Sequence, residues 1–282
     1  IFAILTLTFS QGCKEYLDEQ PLTEFFGEQI FSTEEGVEIA VNGMYVQFAS
    51  FSYHGAGFIN TLMPQSGKFF STQSQSSDLT GLNPNPNNIN ISSLWRGIYA
   101  TINSANVIID EMENSSVSLS NKETTLGQAH LIRAISYFDL VRLWGEVPLR
   151  DRPSTKETLH LAKSSKTVIY NFIIGELEKA KQLLPEIGEY YNGRPAKYAA
   201  HAYLAKVYMQ LAGEDDGDAS YWQKAYDEAI QVYQKYTLTP TYAELFDIDN
   251  ENTTESIFEI QYTLIGGFRS SDFIRNFEPN GI

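Results

Sequence analysis

The amino-acid sequence predicts a mainly α-helical fold in which consecutive helices pair as antiparallel hairpins and stack into a superhelical scaffold. Long loops and a minor β element near the C-terminus complete it. Three observations carry this reading. Apolar residues recur at spacings of three and four in successive segments. Gly or Pro punctuates the ends of those segments. Alanines and aromatics alternate along the segments that would face one another.

The first helix is announced by Ser32-Thr33-Glu34-Glu35, a hydroxyl cap followed by acids in the first turn. It carries Val37, Ala40, Val41, Met44, Tyr45 and Phe48 on one face. From Phe51 to Ser93 the composition turns to Gly, Ser, Asn and Pro, which reads as a long loop, and long loops are more often functional than idle. Helical spacing resumes with Leu94, Ile98, Ile102, Ala105, Ile109 and Met112. KETTLGQAHLIRAISYFDLVRLWGEVPL is the next helix, ending at Gly145 with Pro148 beyond. KTVIYNFIIGELEKAKQLLP follows and stops at Pro185. RPAKYAAHAYLAKVYMQLAG opens with Pro195 and closes at Gly213, and YWQKAYDEAIQVYQKY comes after an acidic turn. SIFEIQYT alternates and is the one convincing strand.

The last helices pair in the manner of a tetratricopeptide hairpin. Ala202, Ala205 and Tyr208 on one meet Trp222, Ala225, Tyr226 and Ala229 on the next, small residues allowing close approach while aromatics fill the gaps. LIRAISYFDLVRLWG and NFIIGELEKAKQLLP form a second pair, and the helices of Val37 and Trp95 a third, split by the long loop. On its helix register Trp95 reads as scaffold core rather than as a ligand platform.

The totals exclude several classes. A 43% hydrophobic and 20% charged composition over 282 residues is that of a globular chain with a buried core. A net charge of −15 leaves no basic face for nucleic acid or for anionic lipid heads. The sole cysteine, Cys13, rules out an internal disulfide framework. Among the four histidines none falls in an H-E-x-x-H pattern, and His130 and His201 read as packed rather than metal-bound. GAGFIN lacks the third Gly of a dinucleotide turn. DIDNEN has Asn252 where a calcium loop needs Gly and Phe258 where it needs Glu. No nucleophile elbow or P-loop is present. Paired carboxylates for glycoside hydrolysis depend on three-dimensional spacing, but most acids here fall on helix faces. Neither a cofactor, a metal nor a catalytic residue is expected.

Cys13 follows the apolar run Ile1–Phe9 and the small residue Gly12, the layout of a bacterial lipoprotein precursor whose cleavage leaves a lipid-bearing cysteine. A buried free thiol is the plainer alternative, but Lys14, Glu15, Asp18 and Glu19 surround the site with charge. The apolar run has no initiating Met or basic residues, and RNFEPNGI closes no element, so the chain reads as a fragment cut at both ends. Residues 1–12 are then a partial signal peptide, 13–31 a tether, 32–262 the helical domain with its 51–93 insertion, and 263–282 the start of a further region.

CKEYLDEQP, FSTEEGVEIAVNGMY, LWRGIYATINSANVII, GQAHLIRAISYFDLVRLWGEVPL, GRPAKYAAHAYLAKVYMQLAG and LTPTYAELFDIDNENTTESIFEIQY occur in the order seen in the SusD/RagB family. The chain resembles that family from Cys13 to Tyr262, most specifically in LIRAISYFDLVRLWGEVPL. The resemblance implies a lipid-anchored outer-membrane protein of Bacteroidetes that captures glycans or other nutrients at the cell surface. It implies a partner, a SusC-like TonB-dependent transporter, over which the protein sits as a lid. It also implies a tetratricopeptide scaffold with an irregular, largely C-terminal region packed on it, which is missing here. Within the 51–93 loop, Phe69 and Phe70 and the amides of Asn83, Asn85 and Asn87 are the candidate ligand contacts, since sugars are held by stacking and hydrogen bonds. The Phe pair can equally anchor the loop to the scaffold. The alternatives are a tetratricopeptide-type protein-interaction scaffold and, less favoured, a glycoside hydrolase.

Overall fold

The computed structural model describes residues 30–68, 74–115, 118–189, 193–214, 217–247 and 249–262. Cys13, Phe69 and Phe70 lie outside them. The fold is mainly helical, and its only paired strands among the described residues are two short antiparallel segments, β1 (Val147–Pro148) and β2 (Lys163–Ser164), with Val147 opposite Ser164.

Helix α1 spans Glu34–Phe48, and the Thr33 hydroxyl accepts from the Gly36 amide at 3.1 Å, as its cap chemistry requires. Gly36 is needed there, because a Cβ would fall 2.0 Å from the Ile30 carbonyl oxygen. Val37, Val41, Met44 and Phe48 are buried. Helix α4 (Ile89–Asn114) starts earlier than its apolar spacing indicates: the Asn88 side chain accepts from Asn90 and Ile91 and caps it. Helix α5 (Lys122–Trp144) is the central element, buried on nearly every side, and stops where Gly145 takes φ +70°. Helices α6 (Lys166–Leu183), α7 (Lys197–Ala212) and α8 (Ser220–Val232) follow. Each packs on its predecessor, α4 on α1, then α5, α6, α7 and α8 in turn, which is the stacked-hairpin superhelix.

Three expectations are corrected. The segment from Phe51 to Ser93 is no open loop. It holds a π-turn (Phe51–Gly55), α2 (Gly57–Leu62), a 3-10 turn (Met63–Ser66) and α3 (Ser74–Thr80) before α4 begins. These pieces are too short to show periodicity and exist because they pack on α4 and each other. Ser256–Tyr262 forms no strand and has no ladder partner among the described residues; Ile257, Phe258 and Ile260 instead pack against the helical core. In the last hairpin, Ala225 is buried, yet Trp222 and Tyr226 are 52% and 61% exposed. The helical phase that turns Ala225 towards α7 carries these rings outwards.

Trp95 is half-buried against the core, edge-on to Trp144 with centroids 5.2 Å apart.

Candidate functional site

Of the candidate ligand contacts, Asn83, Asn85 and Asn87 lie together on an exposed turn between α3 and α4. Asp78 builds that turn. Its carboxylate accepts from the Asn85 amide at 2.9 Å and from Asn88 Nδ2 at 2.8 Å, while its carbonyl accepts from the Asn83 amide at 2.9 Å. The Asn85 amide bond, followed by that from Asn88, holds the Asp78 carboxyl below the usual range. Asn85 Oδ1 turns inwards to accept from the Asn87 amide at 2.9 Å. The side chains of Asn83 and Asn87 make no hydrogen bond to the described residues and face solvent. Leu82, beside them, is 65% exposed and held at φ +53°. The arrangement is a hydrogen-bonded turn that presents two amides and an apolar side chain to solvent.

A larger polar construction lies behind the motif that carries the family resemblance, and sequence reading did not foresee it. Arg133 is 3% exposed. Its Nε donates to Glu176 Oε2 at 2.7 Å and its Nη1 to Asn106 Oδ1 at 2.7 Å and the Asp151 carbonyl at 3.0 Å. His130 Nδ1 lies 2.7 Å from the same Glu176 oxygen. Burial opposes ionisation of Glu176, but the His130 contact and the Arg133 charge outweigh it and hold the carboxyl below the usual range. Asn106 Nδ2 donates to the carbonyls of Arg150 and Arg152, Tyr99 to that of Pro148, and Tyr137 to that of Arg150. Buried side chains of α4 and α5 thus fasten the backbone that follows β1. The available signal was an Arg inside an otherwise apolar run, which must find a partner if buried.

A second buried group centres on Asp139, which accepts from the Tyr53 hydroxyl at 2.6 Å and from Arg142 at 2.6 Å. His201, in turn, meets Glu228 at 2.6 Å, with Lys181 at 3.0 Å from the other oxygen. His130 and His201 therefore face carboxylates, and no group of His, Cys, Asp and Glu among the described residues is placed to hold a metal ion.

A family model described as starch-binding and associating with the outer membrane, SusD-like, matches residues 15–209. The chain belongs to the SusD-like family. SusD-like protein P2 of Formosa agariphila is 28% identical over 284 residues, covering 96% of this chain and 54% of its own length. A SusD-like protein of Bacteroides ovatus is 26% identical over 280 residues, covering 94% and 50%. Among solved structures, a SusD superfamily protein from Parabacteroides distasonis superposes with a TM-score of 0.76 at 26% identity, covering 87% of this chain and 54% of that one. A structure described with xylogluco-oligosaccharide superposes with a TM-score of 0.73 at 26% identity, covering 82% and 47%. The chain thus spans about half the length of the curated relatives it matches. The SusD-like match runs from Glu15 through most of α7, so it contains both the Asp78 turn and the Arg133 network.

Proposed function

We propose that this chain is the helical part of a non-catalytic, glycan-capturing lipoprotein of the outer membrane, which passes its ligand to a SusC-like TonB-dependent transporter. The likeness to a structure described with xylogluco-oligosaccharide, at 26% identity, carries the proposal. The exposed Asn83 and Asn87 amides on a turn braced by Asp78 support it, because fixed polar groups bind sugars at low entropic cost. Several of the more buried acids support a non-catalytic reading: Glu176, Glu228 and Asp139 are each bound to neighbouring cations or hydroxyls. Cys13 is the proposed lipid attachment, and the helical scaffold the side that meets the transporter. Incubation with a polysaccharide panel, followed by affinity electrophoresis and a reducing-sugar assay, tests this. Retardation with no new reducing ends is expected; release of reducing ends would make the protein a hydrolase.

The outward face of α8 favours a second reading, a protein-interaction scaffold. Trp222, Tyr226 and Tyr233 are exposed, and Tyr233 lines an apolar groove of about 530 Å³ floored by Ala202, Ala205 and Ala229. Binding of protein and no retardation by any polysaccharide would select it.

A further inference from the structure

We propose that a cleft between the start of α6, the end of α7 and the start of α8 is a second ligand site, shaped for a neutral mono- or disaccharide. This rests on the glycan-binding reading and adds to it a place on the scaffold apart from the Asp78 turn. The cleft encloses about 340 Å³ and is lined by Thr167, Tyr170, Asn171, Leu211, Glu214 and Tyr221, among others. That volume is at the small end of ligand pockets.

The side chains that face it are the argument. Buried polar groups such as Tyr137, Asn106 and Arg133 have hydrogen-bond partners in the protein, although among the described residues His54 Nε2, Thr61 Oγ1, Asn121 Oδ1 and the Tyr262 hydroxyl have none. Here the hydroxyl of the buried Tyr170 meets one cavity together with the half-buried Tyr221 and the exposed Thr167 and Asn171, and none of these side chains makes a hydrogen bond to a described residue. Tyr170 is 4% exposed, with its ring packed in the core and its oxygen left to the cleft. Burial first, then the Glu214 carboxylate, pushes that phenol up to about 12, so it remains a neutral donor.

The walls are fixed before any ligand arrives. Ser165 caps the first turn of α6 by accepting from the Val168 amide at 3.4 Å. Tyr221 stacks on Tyr208 with centroids 5.8 Å apart. Gly217 lets the α7–α8 turn fold back tightly, since a Cβ there would fall 2.5 Å from the Leu211 carbonyl oxygen. Preorganised polar groups lose little entropy on binding.

Charge sets the ligand class. Lys166 pairs with Glu214 at 3.5 Å, and the Asp218 carboxylate accepts from the Ser220 amide at 2.8 Å. Among the described lining residues the one cation, Lys166, is paired, whereas hydroxyls, an amide and the apolar Leu211 match the edges and the C–H face of a sugar ring.

Isothermal titration with glucose, xylose, maltose and cellobiose tests the assignment on the parent, Tyr170→Phe, Asn171→Ala and the double variant Asn83→Ala/Asn87→Ala. Asn171 is exposed and Tyr170→Phe removes a single oxygen, and thermal melts of each variant check that the fold is retained. At least one sugar should bind the parent, and each cleft variant should weaken it about three- to tenfold, the range of one lost hydrogen bond. Adding Tyr170→Phe to the turn double variant should weaken that sugar by the same factor as Tyr170→Phe does in the parent. Identical affinities in the parent and both cleft variants would overturn the inference, as would loss confined to the turn variant. Retained polysaccharide retardation with no heat from any short sugar would sink this site alone. Loss of retardation as well would sink the glycan-binding reading with it.

Discussion

Replacing Glu176 by Leu removes the anion from a buried group that retains two potential cations. Glu176 is 2% exposed, Arg133 3% and His130 2%, so neither partner can turn to water without opening the α5–α6 contact. Three contacts of 2.6 to 2.7 Å converge on one carboxylate oxygen, from His130 Nδ1 and from Arg133 Nε and Nη2. Arg133 keeps Asn106 and the Asp151 carbonyl as neutral acceptors, which do not balance its charge. Leaving a buried charge uncompensated costs about 3–5 kcal/mol, a large part of the 5–15 kcal/mol typical of a folded domain. At roughly 2–4 °C per kcal/mol for a chain of this size, the melting temperature should drop on the order of 6–20 °C. A thermal melt measures that drop, and urea unfolding followed by tryptophan fluorescence measures the free-energy loss. The triple change Glu176→Leu, Arg133→Met, His130→Leu should recover much of the loss, because a well-packed apolar group can replace a buried ionic one. The acid limb supplies a second check. The Glu176 carboxyl is held below its unfolded value, so the unfolded chain takes up its proton first. Its stabilisation is complete above the ordinary glutamate pKa, about 4.3, and is lost as pH falls through the folded value. The Leu variant should lack that part of the acid-induced loss. A cost under about 1 kcal/mol at neutral pH would refute the reasoning, because it would mean that Arg133 finds water or another anion.

Tyr53→Phe deletes the 2.6 Å hydrogen bond to Asp139 while keeping the ring, and should cost about 1.5–3 kcal/mol as a bond to a charged acceptor; chemical denaturation would reveal an unchanged stability if Arg142 alone satisfies the carboxylate. Ala225→Trp should overpack the α7–α8 contact by about 1–3 kcal/mol, whereas Ala205→Trp should be milder because Ala205 lines an open groove; equal melting temperatures for the two variants would contradict this. Radiolabelled palmitate should enter the parent in cells and be absent from Cys13→Ser, and equal labelling of both would end the lipoprotein assignment. Asn83→Ala with Asn87→Ala should weaken polysaccharide retardation without shifting the melt, since both amides are exposed; Phe69→Ala with Phe70→Ala should do the same if the rings stack on ligand, and should lower the melt instead if they are core.

The helices and their order were legible in the sequence because the forces that set them are local. The Thr33 cap, the Gly145 stop and the three-and-four spacing of Leu94, Ile98 and Ile102 act within a turn or two of the residues that show them. Hairpin pairing was legible for the same reason, since short connections make neighbours in sequence neighbours in space. The short helices between Phe51 and Thr80 were not, because pieces of five to seven residues are held by what they pack on. The outward aim of Trp222 and Tyr226 depended on a few tens of degrees of helical phase, which composition does not encode. Asn83 and Asn87 could be named from the sequence as loop amides, but that Asp78 braces their turn while Asn85 folds inwards required coordinates. The buried networks are the clearest case. Arg133 meets Glu176 across 43 positions and Tyr53 meets Asp139 across 86, and no local rule selects such partners. A buried charge must be matched wherever the chain can bring a counter-charge, so the sequence by itself determined that Arg133 needed one, and the packing of α5 on α6 decided which.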